Sequence, residues 1–377
     1  MPTNHERALD ALRRRGRLRS LEPRLGADFT SNDYLGLAQS DDLKAAVISA
    51  LERGVPVGAG GSRLLRGNHD EHEALETEAA QFFEAETALF FGGGFVANTA
   101  IFATLPQRGD LIVHDELIHA SAHDGMRLSK AQSISARHND AQAFDDAIAQ
   151  WRAGGGTGQP WIAVESLYSM DGDRAPLDAL FEIADRHDGV LVIDEAHATG
   201  VFGAGGRGLG AELEGRGNVI TLHTCGKALG ATGALVLAPK IYRDFLINRA
   251  RAFIYATAPS PLTAATVRAA LTICANEPMR RDSLHARIAF ANNRLQALVG
   301  VEPSGSQIQP IIAGADTTAL ALAAAMKKRG FDIRAIRPPT VPEGTARLRM
   351  TLTLNTSEGD IAAAIDALAE ERAKLLP

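Results

Sequence analysis

The chain has 377 residues, 45% of them hydrophobic and 22% charged, enough apolar material for a sizeable core and enough length for one large and one small domain. A net charge of −6 offers no field to draw in a nucleic-acid backbone or an anionic membrane. The two cysteines, Cys225 and Cys274, are too few and too far apart for a disulfide framework or a thiolate metal site.

Residues 5–20 carry the spacing of an amphipathic helix. This opening stretch is basic, yet no apolar core follows it as a signal peptide requires, and no run approaches ~18 apolar residues. The expectation is a cytoplasmic protein with neither a membrane nor a nucleic-acid partner. "FTSNDYLGLAQS" reads as an irregular segment. From residue 42 onward, short apolar strands alternate with helical stretches. The strands are "TALFFGGG", "DLIVHDE", "WIAVES", "GVLVIDEAH", "NVITLHT" and "GALVLAP"; "FDDAIAQWRAG" and "LDALFEIADRH" have helical spacing. That alternation predicts an α/β fold with a mostly parallel sheet covered by helices on both faces. A second, α+β block begins near residue 271 with the long helix "RRDSLHARIAFANNRLQALVG", followed by "IQPIIAG", "TTALALAAAMKKRGFDIRAI" and "ARLRMTLTL". The expected organisation is an N-terminal arm over 1–45, a large domain over 46–270 and a small one over 271–377.

Ligands of open α/β sheets gather at the carboxyl ends of the strands. The residues just past each apolar run are Gly92 to Phe95, His114 and Asp115 with His119 beyond, Glu165 to Ser169, Asp194 and His197, and Thr224, Gly226 and Lys227. An inert scaffold has no need of so polar a set. "DEAH" is also how a helicase nucleotide-binding box is written, but the chain lacks the G-x-x-x-x-G-K-[ST] loop that such a motor needs, since Ala228 stands where "TCGKALG" would require a hydroxyl. His119 with His123, and His69 with His72, have the spacing of metal-ligand pairs, but neither has a third ligand nearby in the sequence. The default for both pairs is a solvated or capping role.

Lys227 is different. Of seven lysines, it alone lies among small residues, in "TCGKALGATGA". A lysine desolvated there has a lowered pKa and can form a Schiff base. Asp194, one strand earlier, is the acidic partner that the ring nitrogen of pyridoxal phosphate requires. His197 can hydrogen-bond the phenolic oxygen of that cofactor, and Gly94 and Phe95 open a helix whose bare N–H groups suit its phosphate.

With "GAGGSRLLRGNHDEHEALE", "FGGGFVAN", "IHAS", "YSMDGDRAPL", "IDEAHATGVFGAGGRG", "HTCGKALG" and "RPPTVPEGTARLRMTLT" in this order, the chain resembles the α-oxoamine synthases over essentially its whole length. These are pyridoxal-phosphate enzymes of the aspartate-aminotransferase-like fold, fold type I. The resemblance runs most strongly to the branch that joins L-alanine to a pimeloyl thioester, carried on CoA or an acyl carrier protein, with loss of carbon dioxide, in the pathway to biotin. Branches using glycine or serine are the alternative, and a non-enzymatic binding protein on the same fold is the bland one. The resemblance implies that Lys227 carries the cofactor covalently and that His119 stacks on its ring. It further implies that Ser169 and Thr224 hydrogen-bond the cofactor, that Gly94 and Phe95 meet its phosphate, and that Thr257 meets the phosphate across a homodimer boundary. Arg19, His119 and Thr340 fall at substrate-contacting positions, and Arg349 at the position of the arginine that binds the amino-acid carboxylate, which a guanidinium fork matches bidentately. The chain departs from the family pattern at Leu65 and Arg66, in the extra glycine of "FGGGF", and at Ala256 before Thr257.

Overall fold

The computed structural model describes residues 2–375. Its strands are β1 (Ala27–Asp28), β2 (Thr87–Phe91), β3 (Leu111–Asp115), β4 (Gln132–Ala136), β5 (Pro160–Glu165) and β6 (Val190–Asp194). Then come β7 (Val219–Thr224), β8 (Ala234–Ala238), β9 (Ile308–Gly314), β10 (Phe331–Asp332), β11 (Arg334–Ile336) and β12 (Ala346–Thr351). Seven of them form one sheet in the order β2-β8-β7-β6-β5-β3-β4. From β7 to β4 every pairing is parallel, while β8 runs antiparallel to both β2 and β7.

The central strands β3, β5, β6 and β7 are buried at every position and mostly apolar because both faces are covered. On β6, Val190 and Val192 join one buried cluster and Leu191 and Ile193 the other, as the period of two requires. Each such side chain contributes ~1.5–3 kcal/mol by leaving water. All six apolar runs expected as strands form. A seventh, β4, was not legible: "QSISA" is polar and mostly exposed, and is held as an edge strand by pairing with β3 alone.

Backbone contacts divide the chain into two units. The larger covers Leu35–Ser169 and Arg174–Arg281; the smaller takes the segment ending at Tyr34, Met170–Asp173 and the segment beginning at Asp282. This corrects the boundaries expected at residues 45 and 270. Residues up to Tyr34 are no separate arm, because β1 pairs with β10 and Phe29 O and Tyr34 O accept from Thr351 N and Leu354 N. The larger unit extends past 270 because the helix Pro261–Asn276 packs on the helices Asp41–Glu52 and Asp70–Phe83. Met170–Asp173 joins the smaller unit through Arg347, whose guanidinium bonds Met170 O and the Asp171 carboxylate. That unit holds an antiparallel sheet in the order β11-β12-β9. Among the described residues no helix is long and apolar enough to cross a membrane.

Candidate active site

Within the larger unit, the ends of β5, β6 and β7 and the starts of the helices Gly94–Thr104 and Ala120–Leu128 surround a cavity of about 150 Å³. Gly94, Phe95, His119, Asp194, His197, Thr224 and Lys227, all singled out from the sequence, line it together. A larger cleft in the same unit, about 880 Å³, is lined by Arg63, Glu76 and Arg243 among others. Its Arg63–Glu76 ion pair is already closed at 2.8 Å, and neither a lysine nor a histidine lines it.

Asp194 ends β6, where the apolar run stops. Its Oδ2 accepts from Asn98 Nδ2 at 2.6 Å and its Oδ1 from Ala196 N at 2.9 Å. Both oxygens therefore act as acceptors, the bonding pattern of an ionised carboxylate. The chain then turns and returns His197, whose Nε2 lies 2.6 Å from Lys227 Nζ. The small residues around Lys227 and in "HATG" do more than leave room for a ligand. Gly200, at φ +78°, comes so close to Ala228 that a Cβ would lie 2.8 Å from the alanine methyl. At Gly230, φ +62°, a Cβ would lie 2.4 Å from Ala38 N. Only glycine permits these approaches; the first docks the lysine loop on the turn after β6 and the second docks it on the segment at Leu37 and Ala38.

His119 caps the helix Ala120–Leu128: its Nδ1 accepts from Ser121 N at 3.3 Å and lies 2.7 Å from Ser121 Oγ. Ser121 Oγ in turn accepts from Asn98 Nδ2 at 3.0 Å, so a chain of hydrogen bonds runs from His119 through Ser121 and Asn98 to Asp194. With Nδ1 accepting, a neutral His119 carries its proton on Nε2. Burial holds His119 below the ordinary histidine range, a shift that Lys227 reinforces and Asp194 opposes. The uncharged ring fits a stacking role and meets Phe95 edge-on at 6.4 Å.

Reading the sequence left Asn98 and Ser121 unassigned and named Glu165 only as a strand end. Asn98 had a signal, since it follows Gly94 by four residues and shares its helix face. Ser121 had only its place in "HAS". Glu195 of "DEAH" is structural: it accepts from Ser166 Oγ at 2.6 Å and from Leu209 and Gly210 N–H, tying down the following loop. The histidine pairs do not ligate. His69 caps the helix Asp70–Phe83 with His72 answering it, and His123 packs edge-on against His114. No cluster among the described residues could hold a metal ion.

Ser169 is buried and donates its backbone N–H to Glu165 Oε2 at 3.1 Å, and Thr257 is exposed; neither lines the cavity. The remaining designated residues belong to the smaller unit. There Arg19 Nη2 donates to Thr340 Oγ1 at 2.9 Å, both exposed, and Arg349, buried on β12, donates to Asn32 Oδ1 and Thr351 Oγ1.

The donor set fits pyridoxal phosphate. The helix Gly94–Thr104 starts at Gly93 with no side-chain cap and no acidic residue in its first turn, leaving its N–H groups and positive end for a phosphate. Asp194 supplies an anion for a ring nitrogen, and Lys227 Nζ an amine for a carbonyl carbon.

This arrangement defines a class, and the chain belongs to the aminotransferase class I and II family, whose model matches residues 26–368. Within that class its similarity runs to the 8-amino-7-oxononanoate synthases. It is 41% identical over 346 residues to a putative 8-amino-7-oxononanoate synthase of Geobacillus kaustophilus, covering 91% of this chain and 87% of the relative. With the 8-amino-7-oxononanoate synthase of Chromobacterium violaceum it shares 39% over 369 residues, 95% of this chain and 94% of the relative. The structure of the 8-amino-7-oxononanoate synthase from Francisella tularensis superposes with a TM-score of 0.79 at 30% identity, covering 93% of this chain and 98% of that one. A serine palmitoyltransferase variant of S. paucimobilis with a bound aldimine of pyridoxal phosphate and myriocin gives 0.86 at 25% identity, covering 93% of this chain and 87% of that one.

Proposed function

We infer that the chain is a pyridoxal-phosphate acyltransferase that condenses L-alanine with a pimeloyl thioester, releasing carbon dioxide and the thiol and forming 8-amino-7-oxononanoate for biotin biosynthesis. The observation that carries this reading is the nearly full-length similarity, at 41% identity, to relatives of that name. The serine palmitoyltransferase fold match keeps the glycine- and serine-using branches as the second reading.

Bound in the cavity, pyridoxal phosphate supplies an electron sink for the bonds broken at the alanine Cα. The chain's own groups do the rest. Asp194 holds a proton at the ring nitrogen. His119 would stack on the ring, His197 would bond the phenolic oxygen with Ser169 and Thr224 as further hydrogen-bonding groups, and the N–H groups around Gly94 and Phe95 would hold the phosphate. Lys227 Nζ, oriented by His197 Nε2, takes the Cα proton and returns one after carbon dioxide has left. Arg349 is assigned to the alanine carboxylate, and Arg19, with Thr340, to the acyl or amino-ketone end.

The test is to compare kcat/KM for pimeloyl, succinyl, acetyl and palmitoyl thioesters with alanine, glycine and serine. Alanine with the pimeloyl thioester is expected to be best. Glycine should react measurably but more weakly, because one methyl in an apolar pocket is worth only ~1–3 kcal/mol. A preference for glycine with a succinyl or acetyl thioester rules out the biotin step and leaves an α-oxoamine synthase.

The working unit is a homodimer in the cytoplasm. Exposed Ile48, Leu51, Val57, Leu64, Leu65 and Tyr255 on the larger unit support a partner surface, and Thr257 is assigned to the neighbour's phosphate. Sedimentation should give a dimer, and an active monomer contradicts it. The buried free thiols of Cys225 and Cys274 suit a reducing compartment.

A further inference from the structure

Three carboxyl groups end neighbouring strands in the larger unit: Asp115 on β3, Glu165 on β5 and Asp194 on β6, with Glu165 and Asp194 on one face of the sheet and Asp115 on the other. β5 lies between the other two strands, and Glu165 is in direct register with Asp194. The outer two are well supplied with donors. Asp115 accepts from Leu117 N, Asn139 N and His138 Nδ1 at 2.8, 2.9 and 2.9 Å, and Asp194 from Asn98 and Ala196. Glu165 has only Ser169 N on Oε2; its Oε1 is buried without a hydrogen-bond partner in a residue that lines the cavity. An ionised carboxylate with one donor, 2% exposed and flanked by other acids, is the costliest charge of the three, so a shared proton settles there.

We propose that Glu165 is a positioning residue which keeps this proton as a neutral carboxylic acid, so that Asp194 faces the cofactor ring as the cavity's single anionic side chain. The ring is that of the pyridoxal-phosphate reading above, on which the functional half of the proposal rests. Burial first, then Asp194, push Glu165 up to about 8, with Asp115 acting in the same sense and Lys227 and the Ser169 N–H opposing. The other titratable groups lining the cavity are His119 and His197. At neutral pH the proton stays. Above about 8 it leaves, and a second carboxylate faces the same cations as Asp194 and holds protons on them. An unfolded glutamate loses its proton near ~4.3, so the folded protein binds the extra proton between that value and about 8. The stability this group contributes is complete below the lower value, falls through the window and changes no further above it.

Infrared spectroscopy of the cofactor-free protein at pH 7 tests protonation directly. A protonated-carboxyl carbonyl band, shifted by deuterium and missing in Glu165→Gln, is expected; its absence in the wild type overturns the proposal. If Glu165→Gln fails to fold, titration of that band in the wild type decides: loss near pH 8 supports the proposal, and loss in the ordinary carboxylate range overturns it. In the cofactor-loaded protein, the pH midpoint of the absorbance above 400 nm should lie higher in the wild type than in Glu165→Gln. Equal midpoints refute action through Asp194. If no such absorbance exists, the cofactor reading and the functional half fall together, while the infrared result still decides the proton.

Discussion

Replacing Lys227 by alanine should abolish covalent attachment of the cofactor and lower turnover by about four orders of magnitude, the upper range for losing a positioned acid–base group. Lys227 Nζ is the amine in the cavity, and it is set 2.6 Å from His197 Nε2 by a loop that Gly200 and Gly230 hold in place. Truncation at Cβ leaves those backbone contacts untouched, so the fold and the non-covalent phosphate and ring sites should survive. Borohydride reduction followed by peptide mapping reads the attachment directly. In the wild type the adduct should fall on the peptide containing Lys227 and disappear in Lys227→Ala. An adduct on any other lysine removes Lys227 from its role.

The second large effect is expected at Asp194. Asp194→Asn should still bind cofactor but slow exchange of the alanine Cα proton by about 10³-fold, because the ring then lacks the anion that keeps its nitrogen protonated. Measuring deuterium entry into alanine without the acyl partner isolates this step, and near-normal exchange contradicts the assignment. The substitution has a structural cost as well. Asn98 Nδ2 and Ala196 N both aim N–H groups at the carboxylate, and an asparagine amide has one oxygen where the aspartate has two. One donor loses its acceptor at a cost of about 1–3 kcal/mol, so the cofactor-free variant should also melt earlier than the wild type.

Lys227 stood out because its neighbours are small, and Asp194 because an acid follows four apolar residues; both are local signals. Nothing local separates Glu165 from Asp115 or Asp194, since all three are acids at strand ends. Which one holds the proton depends on donors from elsewhere in the chain: Asn98 for Asp194, His138 and Asn139 for Asp115, and only Ser169 N for Glu165.

By itself the sequence determined the alternating α/β architecture, the six buried strands and the polar residues at their carboxyl ends, because a strand covered on both faces is predominantly apolar and its ionisable residues gather where it emerges from the core. It also determined the family, through motifs spread over the chain. Only the tertiary structure decided that residues up to Tyr34 belong with the smaller unit, that "QSISA" is a strand, and that His119, Ser121, Asn98 and Asp194 form one hydrogen-bonded chain. The physical reason is common to all three: a two-residue ladder, an edge strand and the polar relay at Ser121, Asn98 and Asp194 are each stabilised by partners distant in sequence, and their own residues carry no periodicity that reveals those partners.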